Sequence, residues 1–265
     1  MTAVNDGELN TAFDAGLLSR IEDAGLNASA PPQQLWLDGW LIRFSPGTAK
    51  RARCVNAVAD GRLAVTERLA ECARVFDRAK LPLIVRITPF TQPDGLDDLL
   101  ASQGLRRFDD TRVMALANLR AFDEAAIADV TIQPMGLEAF ANRVGGFRDS
   151  PLAQRQAHAD RLSNSPVPFF AFELRAKGNP VACGQVALDG DLVGLYDVFT
   201  AESARGRGFA GTLCRHSLTE AASRGARHAY LQVEGDNHVA RALYHRLGFA
   251  DAYGYHYRTR DPAAA

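Results

Sequence analysis

The feature that most constrains the fold is a short pattern that occurs twice. Residues 99–105 (Leu-Leu-Ala-Ser-Gln-Gly-Leu) line up with residues 243–249 (Leu-Tyr-His-Arg-Leu-Gly-Phe). In each, an apolar helical stripe ends at a glycine, the residue that accepts the left-handed conformation closing a helix. An apolar residue then leads into a strand. Each copy follows a helix and a strand, and the copies stand roughly 140 residues apart, the separation of duplicated domains rather than of a solenoid repeat. A chain of 265 residues has room for two such units. Domains are therefore expected at 1–125 and 126–265, joined near 120–127, where Ala, Asp and Glu predominate.

Apolar spacing predicts helices over 7–25, 62–79, 96–103, 136–144, 152–162 and 239–247, with another opening near Arg205. Two strands are expected around Asp38-Gly39 within 35–44. Further strands are expected at 53–58, 82–87, 111–116, 130–133, 169–175, 181–188, 192–200, 229–234 and 253–259. Gly178-Asn179 and Asp189-Gly190 are tight-turn pairs, so the strands between 169 and 200 should run as an antiparallel meander. Trp36, Trp40 and Phe44 are expected on one face, filling the core beneath the hairpin. The class is α/β, an α+β chain with a mixed sheet.

Charge excludes some partners. Lys and Arg number 30 against 31 Asp and Glu, a net charge of -1, so there is no cation excess to neutralise nucleic-acid phosphates. No run approaches the ~18 apolar residues of a membrane span, and residues 1–10 lack the basic-then-apolar order of a signal peptide. The cysteines, Cys54, Cys72, Cys183 and Cys214, are widely spaced, which suggests reduced core thiols and a cytoplasmic location. The six histidines show no metal-ligand spacing, and no metal is expected. Lys50-Arg51-Ala52-Arg53 reads as a solvated basic loop, or as an arm toward an acidic acceptor. The acidic cluster Asp94, Asp97, Asp98, Asp109 and Asp110 would attract an amine.

The most informative stretch runs from Thr200 to Gly211, between a strand and a helix. Free N–H groups and the helix dipole there favour an anion, glycine lets backbone approach a phosphate, and Arg205 and Arg207 add positive charge. Gly206, Gly208 and Gly211 satisfy the dinucleotide pattern G-x-G-x-x-G, with Glu234 as a ribose ligand, which would suit a nicotinamide-dependent oxidoreductase. Two features oppose that reading. About five polar or small residues separate the strand from the first glycine, and the preceding strands form a meander rather than parallel crossovers.

Arg205-x-x-Gly208-x-Ala210 resembles the R/Q-x-x-G-x-G/A motif of the GNAT superfamily of acetyl-CoA-dependent N-acetyltransferases. Asn237-x-x-Ala240-x-x-Leu243-Tyr244-x-x-Leu247-Gly248-Phe249 resembles a second signature of that superfamily. The resemblance covers residues 129–260 and implies tandem GNAT-like acyl-CoA N-acyltransferase folds. The first half is similar to a degenerate copy, with Leu100 where Tyr244 stands and no R-x-x-G-x-A before the helix at Arg62.

The resemblance implies that the pantetheine arm of acetyl-CoA pairs with backbone of Val198, Phe199 and Thr200. It places the pyrophosphate on Gly206, Arg207, Gly208, Phe209, Ala210 and Gly211, with Arg205 or Arg207 alongside and Asn237 near the arm. Tyr244 is then the general acid for the leaving thiolate, and Glu234 the first candidate base, sharing a strand face with Gln232. Asp197 and Glu202 are further candidates; Gln232 cannot accept a proton. The acceptor is a small-molecule or peptide amine, and the chain a monomer or homodimer. A non-catalytic acyl-CoA-binding regulator would use the same site.

Overall fold

The computed structural model describes residues 8–45, 49–123 and 127–264. The first half contains α1 (Ala15–Ala28), β1 (Gln34–Leu37), β2 (Trp40–Arg43), β3 (Val55–Ala57), α2 (Val65–Ala79), β4 (Val85–Ile87), α3 (Leu96–Ser102) and β5 (Arg106–Leu116). The second contains β6 (Val130–Met135), α4 (Leu137–Phe147), α5 (Leu152–Ser163), β7 (Phe169–Ala176), β8 (Asn179–Asp189), β9 (Leu192–Thr200), α6 (Phe209–Ser223), β10 (His228–Glu234), α7 (His238–Arg246) and β11 (Ala250–Thr259). Every helix and strand expected from periodicity is present. The first helix starts later than its apolar stripe, because the Asp14 carboxylate accepts from Leu17 N at 2.9 Å and caps it there. The expected N-terminal reading over residues 1–7 and the exact 125/126 boundary lie outside the described residues.

All eleven strands join one mixed sheet in the order β1-β2-β3-β4-β11-β5-β10-β9-β8-β7-β6. The repeated unit is visible twice, as β3–α2–β4–α3–β5 and β9–α6–β10–α7–β11, each with a parallel first pair. The final strand of each unit crosses to the other half. β5 pairs with β10, β11 pairs with β4, and β5 and β11 pair with each other at the centre. This exchange makes the sheet continuous from one half to the other, with β4, β11, β5 and β10 paired in turn.

Helices cover both faces. α2 and α3 pack over the first half, and α6 and α7 over the second, on one face of the sheet. On the other face α1 crosses the centre, placing Leu17, Leu18 and Ile21 against Val113, Tyr230 and Tyr253, while α4 and α5 cover the outer strands of the second half. All four cysteines are buried free thiols. Among the described residues no helix is long and apolar enough to cross a membrane.

Trp36 departs from its expected place. Asp38 and Gly39 form a two-residue turn with positive φ, which sets Leu37 opposite Trp40 and Trp36 opposite Leu41. Trp36 and Trp40 therefore lie on opposite faces: Trp40 is fully buried, with its indole N–H donating to Gln92 O, and Trp36 is 65% exposed. The acidic cluster is also divided. Asp97 takes His256 and Arg258, Asp109 takes Lys50, and Asp110 takes Arg112, so these carboxylates are spent on internal pairs.

Candidate active site

The site begins where two parallel strands stop pairing. β9 and β10 share a ladder from Leu192 with His228 to Leu195 with Leu231, and no further. β9 continues to Thr200 and β10 to Glu234, so their facing edges diverge and leave backbone groups without ladder partners. The cause is local. Two residues of β9, Asp197 and Val198, stand against one of β8, Gly184, and Asp197 adopts φ 47°. Such a bulge bends a strand and increases its twist. Val198, Phe199 and Thr200 form the far side of the resulting wedge, and the Thr200 hydroxyl is buried with no hydrogen-bond partner among the described residues.

Beyond Thr200 the chain turns through residues 202–204 into the glycine segment. Gly206 and Gly208 have φ of 75° and 80°, a conformation that favours glycine, and Gly208 starts α6. No side chain caps α6 and its first turn has no acidic residue. Among the described residues the N–H groups of Phe209, Ala210 and Gly211 are therefore unclaimed at the positive end of a 15-residue helix. A Cβ at Gly206 or Gly208 would meet nothing within 4 Å, so the space above them is open. The guanidinium of Arg205 lies 5.9 Å from the Phe199 ring centroid and that of Arg207 4.9 Å from that of Phe209, which flanks the turn with two cations. The Phe209 side chain itself is core, 3% exposed; only its backbone faces the turn.

α7 is drawn against this turn at Gly211, where a Cβ would come within 3.3 Å of Leu243 Cδ1. The next residue on α7 is Tyr244. It is half-buried, packs edge-on against Phe249, and makes no hydrogen bond through its hydroxyl among the described residues. Burial, with the Cys214 thiol alongside, pushes its phenol well above the ordinary tyrosine range, so it holds its proton. Asn237 caps α7, its Oδ1 accepting from Ala240 N at 3.1 Å. That bond fixes where α7 starts and hence where Tyr244 stands.

Of the candidate bases, Glu234 ends β10, exposed and opposite Thr111 of β5. Glu202 lies exposed in the turn before the glycines. Asp197 is engaged. Gln185 Nε2 donates to it at 2.8 Å, Arg148 lies at 3.2 Å and His158 at 3.5 Å. Burial would raise its proton affinity, but His158 and Arg148 outweigh that and hold the carboxyl far below the usual range. A carboxylate so held is a poor proton acceptor.

Gln232, the first β10 residue past the last paired step, carries a cluster the sequence does not reveal. Its Oε1 accepts from Arg51 Nη1 at 2.8 Å and from the Tyr255 hydroxyl at 2.8 Å. Arg51 belongs to the segment expected as a solvated loop. It instead sits in a single 3-10 turn, residues 50–52, that reaches from the first half into the second, across 181 positions of sequence. Among the described residues no group of three metal-ligating side chains exists.

A wedge between parallel strands, with an uncapped glycine turn at its mouth and a tyrosine helix beside it, is the architecture of a GNAT N-acetyltransferase, and the protein is an acyltransferase of that superfamily. The chain belongs to the family described as "Probable histone acetyltransferase Rv0428c C-terminal", whose model matches residues 18–258. It is 28% identical over 229 residues to "Uncharacterized N-acetyltransferase YobR" of Bacillus subtilis (strain 168), covering 83% of this chain and 90% of that one. Its fold is similar to a GCN5-related N-acetyltransferase from Kribbella flavida, with TM-score 0.69 at 17% identity over 94% of this chain and 97% of that one. It is also similar to a tandem GNAT protein from the clavulanic acid biosynthesis pathway, with TM-score 0.60 at 15% identity over 74% and 70% of the two chains.

Proposed function

We propose that the protein transfers an acetyl group from acetyl-CoA to an amine that enters from the face of α1, α4 and α5. The observation that carries this reading is the junction of two vacant backbone surfaces: the parted inner edge of β9 beyond Leu195 and the uncapped start of α6. A cofactor with a diphosphate and a long amide-bearing arm needs both. Gly206, Arg207, Gly208, Phe209, Ala210 and Gly211 would hold the pyrophosphate through backbone N–H groups, with Arg205 and Arg207 as flanking cations. Val198, Phe199 and Thr200 would pair with the arm, and Asn237 stands at the start of the helix beside it.

Acetyl-CoA supplies a thioester whose acyl carbon accepts an amine once the two are held together. Tyr244, protonated and with no hydroxyl partner among the described residues, would donate to the leaving sulfur. Glu234, exposed at the end of β10, takes the proton from the attacking amine through water. A nicotinamide reading of the same glycines is disfavoured by the wedge, which is built from an antiparallel meander and a bulge, and by the 3-10 turn between β9 and Gly206.

Calorimetric titration with acetyl-CoA, and with NADH as control, tests this. One acetyl-CoA site per chain is expected, with no heat from NADH. Two sites would assign cofactor binding to the first half as well, and binding of NADH alone would overturn the reading.

A further inference from the structure

Charge around the acceptor side of the wedge is not balanced. Arginines elsewhere near it have carboxylates: Arg86 is paired with Glu22, and Arg148 with Asp197. Arg51 has none among the described residues, and its Nη1 is bound only to the neutral Gln232 and, at 3.2 Å, to the Tyr255 hydroxyl. Arg161 of α5 has none either among the described residues, and its Nη1 donates to Ala28 O at 3.5 Å. Both reach the last turns of α1: Arg161 bonds Ala28 O, and the Gln232 amide that holds Arg51 lies against Gly25, where a Cβ would come within 2.9 Å of its Nε2, with Tyr196 packed against the same stretch of the helix. Asp197, whose charge bears on Arg161, is already held by Arg148, His158 and Gln185.

Two half-buried cations brought to one stretch of α1, with no carboxylate bonded to either among the described residues, repel each other and forfeit hydration. An arginine fork that is not satisfied internally is well suited to a carboxylate from outside. The position is informative. Tyr196 and Gln232 are the first residues past the last paired step of the two strands, and their side chains lie on the face opposite α6. A carboxylate there would sit a few atoms from the apex of the wedge, where the thioester is to be attacked.

We propose, resting on the acetyltransferase reading above, that the acceptor is a compact aminocarboxylate such as a free α-amino acid, and that Arg51 and Arg161 bind its carboxylate. The amine nitrogen forms the new N–C bond, the C–S bond of acetyl-CoA breaks, the thiolate gains one proton and the nitrogen loses one. The products are an N-acetylamino acid and CoA. Arg51 thereby makes the first half a specificity element for chemistry carried out in the second.

The test compares transfer to a set of free α-amino acids, to their carboxamides and to a lysine-rich histone-tail peptide. Free amino acids should exceed their amides in kcat/KM by roughly tenfold or more, the effect of a charge-assisted fork. Arg51→Gln should bring the acid-to-amide ratio down toward one, mainly through a higher KM for the acids, and Arg51→Lys should restore part of the ratio. Arg161→Gln gives the same readout should Arg51→Gln fail to fold. Equal use of acids and amides, preference for the histone-tail peptide, or no turnover of any amino acid by protein that binds acetyl-CoA would each overturn the proposal. If acetyl-CoA itself does not bind, the acetyltransferase reading fails instead. Calorimetry of the amino acids against wild type and Arg51→Gln then decides the carboxylate site alone: Arg51-dependent binding supports it, and its absence overturns it.

Discussion

The hydroxyls of Tyr196 on β9 and Tyr230 on β10 meet at 2.8 Å, immediately beside the last backbone pair of those strands. The rings stand at 88° with centroids 6.1 Å apart, an edge-to-face contact. The clip fixes where the wedge begins, and it depends on a missing side chain. A Cβ at Gly194 would lie 2.6 Å from Tyr230 Cζ, with the Tyr196 ring also in its way. Gly194→Ala is expected to destabilise by about 2–3 kcal/mol through overpacking, and Tyr230→Phe by about 1 kcal/mol through the lost hydrogen bond. Urea unfolding measures both. An unchanged midpoint for Gly194→Ala would show that the rings move aside freely and that they do not set the opening.

Tyr244→Phe separates catalysis from binding. The ring contact with Phe249 is kept, so stability and acetyl-CoA affinity should change little. Removal of the proton donor should lower kcat roughly 100-fold, within the range for general acids. Because burial pushes this phenol above its ordinary value of 10.0, wild-type kcat should show no loss from Tyr244 ionisation below that pH. Turnover of Tyr244→Phe equal to wild type would remove the tyrosine from the mechanism.

The repeated helix–Gly–apolar tail and the turn pairs made the elements legible in the sequence, because both are local. Exchange of β5 and β11 between the halves was not legible, since neither strand's own residues state which neighbour it pairs with. Within the site, the glycine turn and Tyr244 could be read from motifs. Arg51 could not, because its role depends on contact with Gln232, 181 positions away. The surroundings of Asp197 were hidden for another reason. A lone acid in a strand says nothing of Arg148 and His158, which reach it from the end of α4 and from α5. Trp36 followed the alternation rule only as far as the turn, where two residues with positive φ exchange the faces.

A buried pair ties α1 to β4. Arg86 donates to both oxygens of Glu22, with Nη2 at 3.1 Å from Oε2, and the Tyr253 hydroxyl adds 2.7 Å to the same oxygen. Burial favours the neutral acid, but Arg86 overrides it and keeps Glu22 charged. Glu22→Gln strands a guanidinium that is 3% exposed, and should cost about 3–5 kcal/mol. Replacing both residues together, Glu22→Leu with Arg86→Met, should recover much of that loss. A double variant as unstable as the single one would locate the cost in packing rather than in the unpaired charge.

Acid should loosen the contact between α3 and β11 at Asp97. Arg258 Nε lies 2.6 Å and His256 Nε2 2.9 Å from its Oδ1. Burial would raise the Asp97 carboxyl, but the bonds from Arg258 and His256 bring it down from 3.8 to about 2. A carboxyl with lower proton affinity in the folded chain than in the unfolded one stabilises above its unfolded value, and that stability is lost as pH falls through the folded one. The contribution is therefore complete above about pH 4 and gone near pH 2. His256 acts in the same direction, since burial lowers its proton affinity and acid must charge it inside the fold. With the Asp97 side chain 34% exposed, solvent screening reduces the effect, and Asp97→Asn should cost about 1 kcal/mol at pH 7. Chemical unfolding of both proteins across pH 7 to 2 should show the two stabilities converging below pH 4; a gap that persists at the acid end would mean that Asp97 acts through neutral hydrogen bonds rather than its charge.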